Sequence, residues 1–75
     1  MYLGWFDDDR RRSSSEKIGE AAERYVLKFG EKPDLCLANE CDVPQAGVVG
    51  LDVRPVSYVR PNHFWLGRSK DLPQE

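Results

Sequence analysis

The sequence predicts a small α+β domain: a mixed sheet of three or four strands in the chain order β-α-β-β-β, with one amphipathic helix packed across one face. Three observations carry this. Six apolar residues recur at helical spacing between Ile18 and Phe29, and short aromatic or aliphatic runs flank that segment on both sides. The chain has 75 residues, enough for one core and too few for two. Residues 1–67 are expected to form this single domain and 68–75 a polar, flexible tail.

The first strand is expected at Tyr2-Leu3-Gly4-Trp5-Phe6. The helix follows over Ser14 to Phe29. Ile18, Ala21, Ala22, Tyr25, Val26 and Phe29 share one stripe, while Lys17, Glu20, Glu23, Arg24 and Lys28 form a face expected to be solvated. Ser13 stands three residues before Glu16, the spacing of a capping box. Gly30 offers a left-handed C-terminal cap and Pro33 prevents resumption. Glu20 and Arg24 have the i, i+4 spacing of a favourable ion pair.

Leu35-Cys36-Leu37-Ala38 is apolar at every position, as expected of a strand covered on both faces. With the first strand and the helix it makes a βαβ unit, with a right-handed crossover if the two strands are parallel. Asn39 to Gly47 has a loop composition able to hold one helical turn started by Asp42. Val49, Leu51 and Val53 alternate with polar or glycine positions, the pattern of a half-buried strand that Pro55 places at an edge and Val56 to Val59 continues. Arg60-Pro61-Asn62 reads as a turn and His63-Phe64-Trp65-Leu66 as the last strand, so that 49–66 is expected to form an antiparallel hairpin. The expected core is Leu3, Phe6, Ile18, Ala22, Tyr25, Val26, Phe29, Leu35, Leu37, Leu51, Val53 and Phe64.

Composition narrows the function classes. Eleven basic and thirteen acidic side chains give a net charge of −2, too balanced to single out nucleic acid or an anionic membrane as partner. No apolar run approaches the roughly 18 residues of a membrane span. The N-terminal apolar residues run straight into Asp7-Asp8-Asp9, the wrong polarity for a secretory signal, so the expected location is the cytoplasm, away from membranes. Phosphate-binding glycine loops, dinucleotide motifs and serine triads are absent from the sequence.

Three groups of residues are candidates for chemistry. Asp7, Asp8, Asp9, Arg10, Arg11 and Arg12 connect the first strand to the helix. Carboxylates at the C-terminal end of a strand suit Mg²⁺, and the neighbouring arginines suit a phosphate. Three acids beside three bases also make a self-neutralising loop, and Arg10-Arg11-Arg12-Ser13-Ser14 has the composition of a basophilic kinase site. Cys36, Cys41 and His63 are zinc-ligand types, yet they supply three ligands where a structural site needs four. The aromatic end of the chain places Tyr58, His63, Phe64 and Trp65 beside Arg54, Arg60 and Arg68. Phe64 and Trp65 are neighbours on a strand and must face opposite sides, so one is core while the other is free for a partner.

The favoured reading is a non-catalytic binding or accessory module that acts through protein contacts, self-association among them, using Arg54, Tyr58, Arg60, His63 and Trp65. Neither a cofactor nor an enzymatic activity is expected. The alternatives are single-stranded nucleic-acid binding through the same aromatic and arginine residues, and an Mg²⁺ or phosphate site at the Asp/Arg loop.

Overall fold

The computed structural model describes residues 2–45 and 47–71. Its order is β1 (Leu3–Phe6), α1 (Ser14–Phe29), β2 (Leu35–Ala38), β3 (Asp52–Pro55) and β4 (His63–Gly67), with single 3-10 turns at Glu40–Asp42 and Ser69–Asp71. One helix packs on a four-stranded mixed sheet, the α+β class expected from the sequence.

The helix begins and ends on its capping residues. The Glu16 N–H donates to Ser13 Oγ at 3.2 Å, and the Ser13 N–H donates back to Glu16 Oε1 at 3.2 Å, closing the capping box. At the other end Gly30 adopts φ 76°, and its N–H donates to the Val26 carbonyl at 2.8 Å. Ile18, Ala21 and Tyr25 are fully buried, with Ala22 and Phe29 packed at the margin. Three details depart from the helical-wheel expectation. Val26 is 37% exposed, because α1 lies over β1 and β4 and leaves the far side of its stripe uncovered. Lys17 is buried rather than solvated, beside the fully buried Ile18 that begins the stripe. Glu20 pairs with Arg12 and not with Arg24, whose guanidinium instead stands 5.9 Å from the Trp5 ring centroid.

The strand order is β1-β4-β2-β3. β4 is antiparallel to both β1 and β2, so β1 and β2 run parallel with β4 between them, a split form of the βαβ unit. β3 is parallel to β2. The expected hairpin over 49–66 is therefore not formed: β2 separates β3 from β4. Pro55 ends β3, and the Val56–Arg60 segment then crosses the sheet instead of turning back on itself, burying Val59 against Leu35 and Leu37. Val56 to Val59 is accordingly not strand. A β-turn reverses the chain at Arg60–His63, with the His63 N–H donating to the Arg60 carbonyl at 3.2 Å and Asn62 at φ 67°, which suits Pro61 and Asn62 at its two central positions. The expected strand from Val49 starts only at Asp52. Val49 sits fully exposed on a turn closed by Leu51 N–H donating to the Val48 carbonyl, with Gly50 at φ 81°.

Each face of β2 has its own cover. Cys36 and Ala38 join Phe64, Leu66 and the helix stripe on one side; Leu35 and Leu37 meet Val59 and Val56 on the other. Phe6, expected in the core, lies on the second side and is 57% exposed. The 3-10 turn after β2 is capped by Asn39 and not begun by Asp42; Asn39 Oδ1 accepts the Cys41 N–H at 3.1 Å, and its Nδ2 donates to the Val59 carbonyl at 2.9 Å. Of the expected tail, Ser69 is tied down by N–H donation to Asp34 Oδ1 at 2.7 Å, while 72–75 lie outside the described residues.

The two aromatic positions give a direct check of this packing. Phe64→Ala, in the centre of the core, is expected to lower unfolding free energy by about 3–5 kcal/mol in urea titrations. Phe6→Ala, removing a cross-strand contact on an exposed surface, should cost no more than about 1 kcal/mol.

Candidate functional site

The sheet has one face under α1 and a second face that is only half covered. Over β2 that second face lies beneath the Val56–Val59 segment, whereas over β1 and β4 it is open. Alternation brings Tyr2, Gly4 and Phe6 from β1 and its lead-in residue, with His63 and Trp65 from β4, to this open half. Phe6 stands directly opposite His63, their rings 4.8 Å apart and tilted by 46°. Tyr2 reaches Trp65 diagonally, at 6.4 Å and 54°. Gly4 faces Trp65 across the strands, and a side chain there would meet nothing within 4 Å. The result is an aromatic rim around a bare patch of backbone, with Trp65 45% exposed.

Of the residues singled out in the sequence, His63 and Trp65 lie on this surface. Arg54 shares its side of the sheet, since Leu37 pairs with both Trp65 and Arg54. Tyr58, 74% exposed, and Arg60 flank the buried Val59 in the crossing segment. Tyr2, Gly4 and Phe6 were not foreseen as part of the site. Phe6 abuts Asp7 and alternates with Leu3 and Trp5, a period-two signal that would have turned it outward once Trp5 was assigned to the core.

Two arginines near this surface are tethered. Arg54 Nε binds Asp52 Oδ2 at 2.8 Å, both side chains about half exposed. Arg68 donates to the Lys32 carbonyl at 2.7 Å.

The Asp/Arg tract forms a tight connection into α1. The Asp9 N–H donates to Asp7 Oδ1 and the Arg11 N–H to Asp9 Oδ1, both at 2.9 Å. Arg12 bridges Asp7 at 3.0 Å and Glu20 at 2.6 Å and donates to the Glu16 carbonyl at 3.3 Å, stapling the loop to the first turns of the helix. The hydrogen bond to Glu20 is the main cause that raises the Arg12 pKa, and the Arg11 N–H is the main cause that lowers that of Asp9. Asp8 and Arg10 point into solvent.

Cys36 and Cys41 are both free thiols, the first buried in β2 and the second exposed on the 3-10 turn. Cys36 belongs to the core cluster under α1, whereas His63 is on the other side of the sheet. Among the described residues no three His, Cys, Asp or Glu side chains gather as a metal site. No helix among them is long and apolar enough to cross a membrane.

Burial pushes the Cys36 thiol up to about 12, and desolvation by its neighbours, followed by the Asp42 carboxylate, also raises the exposed Cys41. A thiol reagent near neutral pH is therefore expected to modify Cys41 alone in the native protein and both cysteines in denaturant; fast native labelling of two thiols would contradict this packing. In comparison with known proteins, no family model, no curated protein and no solved structure matches the chain.

Proposed function

We propose that the chain is a non-catalytic binding module that engages a protein partner through the open half of its sheet. The observation that carries this reading is the exposure of Phe6 and Trp65 on two paired strands, around a glycine that leaves the floor between them bare. Large aromatics held on a rigid scaffold bring apolar contact area at little entropic cost, which is why such side chains dominate binding at protein interfaces. Arg54 at the margin completes the aromatic and arginine composition enriched there. A partner suited to this surface presents an apolar side chain to the gap over Gly4 and a basic group toward the exposed Asp8, just beyond β1.

Nucleic acid uses the same kind of aromatic platform but needs free cations along it. Here Arg54 is matched by Asp52, Arg11 by Asp9, and Arg12 by Asp7 of the entering loop and Glu20 of α1. That pairing favours protein.

Affinity capture from a lysate of the source organism, followed by rebinding of each purified candidate, tests the reading. Trp65→Ala and Phe6→Ala are each expected to weaken the purified interaction at least tenfold, about 1.4 kcal/mol, while Val49→Ser on the far turn leaves it unchanged. Salt-dependent binding of mixed single-stranded oligonucleotides, lost on Arg54→Ala or Arg60→Ala, would replace the protein reading with the nucleic-acid one.

A further inference from the structure

We propose that two copies of the chain associate through the outer edge of β1, pairing antiparallel about a two-fold axis at Gly4 and joining two four-stranded sheets into one. This deepens the binding-module reading by naming a second copy as a partner, yet it rests on the edge of the sheet and not on its open face.

The register shows which backbone groups are available. The Asp7 N–H donates to the Asn62 carbonyl at 3.0 Å, continuing the register that sets Phe6 opposite His63. Hydrogen-bonded pairs alternate along an antiparallel ladder, so Leu3, Trp5 and Asp7 direct their backbone groups toward β4. Gly4 and Phe6 direct theirs outward, and no turn, loop or capping hydrogen bond among the described residues takes them up.

The two edges of the sheet differ in chemistry. β3, at one edge, carries Asp52, Arg54 and Pro55, the charged and proline residues that discourage strand addition. β1, at the other, is Leu3-Gly4-Trp5-Phe6, with neither charge nor proline. An unprotected edge on so small a domain is a template for another strand.

The strand is also complementary to itself. With Gly4 opposite the partner's Gly4, Tyr2 meets the partner's Phe6 on the open side and Leu3 meets the partner's Trp5 on the helix side. The Asp7-Asp8-Asp9 blocks then lie beyond the paired segment, at opposite ends of the interface. Sliding the register so that Gly4 faces the partner's Phe6 would set Asp7 against Leu3 and Asp8 against Tyr2, burying charge beside apolar groups. Charge placement thus disfavours a slide in that direction.

Sedimentation equilibrium of the full chain is expected to show a species of twice 8.6 kDa, with concentration-dependent protection of the Gly4 and Phe6 amides in hydrogen exchange. Gly4→Pro removes an outward N–H without touching the β4 ladder, and the expected result is loss of the dimer with the helical circular dichroism retained. Gly4→Lys, for which the structure has room, sets two ammonium groups across the axis and gives the same loss, whereas Gly4→Val keeps the dimer. Trp65→Ser also keeps it. A monomer at every concentration overturns the proposal, as does a dimer that survives both Gly4→Pro and Gly4→Lys. Loss of the dimer in Trp65→Ser overturns it as well, because the copies would then meet through their open faces.

Discussion

Burial of β2 on both faces is the constraint from which the rest of the architecture follows. Leu35–Ala38 is apolar at four consecutive positions and lies between β4 and β3. A strand of that composition needs a cover on each side, and one helix supplies only one. The second cover comes from the chain between β3 and β4, which brings Val56 and Val59 over Leu35 and Leu37. That crossing is what prevents β3 and β4 from pairing as a hairpin. It also leaves the β1 and β4 half of the same face without a lid, so the exposed aromatic surface is a consequence of how the core was completed.

The connection into the helix illustrates how charge-rich sequence serves structure. Asp7, Asp9, Arg11 and Arg12 spend their hydrogen-bonding capacity within the loop or on Glu16 and Glu20. The charges stabilise a tight turn between β1 and the capping box at Ser13, an entry that a 75-residue domain with limited core area has to define locally. Asp42 plays a comparable part at the adjoining turn: buried, it accepts the Asn62 N–H at 2.7 Å, while the Asn62 carbonyl takes the Asp7 N–H, and so steadies the turn that leads into β4.

The open face and the β1 edge meet at Gly4. Lacking a side chain, this residue leaves Trp65 uncovered from across the strands and at the same time lies at the midpoint of an apolar, charge-free edge. One small residue therefore shapes two adjoining surfaces, and binding at either would alter the surroundings of Phe6, which belongs to both.

Local periodicity and capping chemistry were sufficient to read the helix from Ser14 to Phe29, with its Ser13 and Gly30 caps, the strand Leu35–Ala38 and, to within one residue at one end of each, the strands Leu3–Phe6 and His63–Gly67. These depend on residues within one or two turns of each other, so the linear order of side chains contains the information. The opposite facing of Phe64 and Trp65 was legible for the same reason, since alternation along a strand is a local property. The partners of each strand were not. Whether β3 pairs with β4 or with β2 turns on which segment covers Leu35 and Leu37, a competition between distant parts of the chain that no pattern within either segment records. The exposure of Phe6 and Val26 follows from that same outcome. Each is apolar and suitably spaced for a core, and each lies where the folded chain has nothing left to place over it.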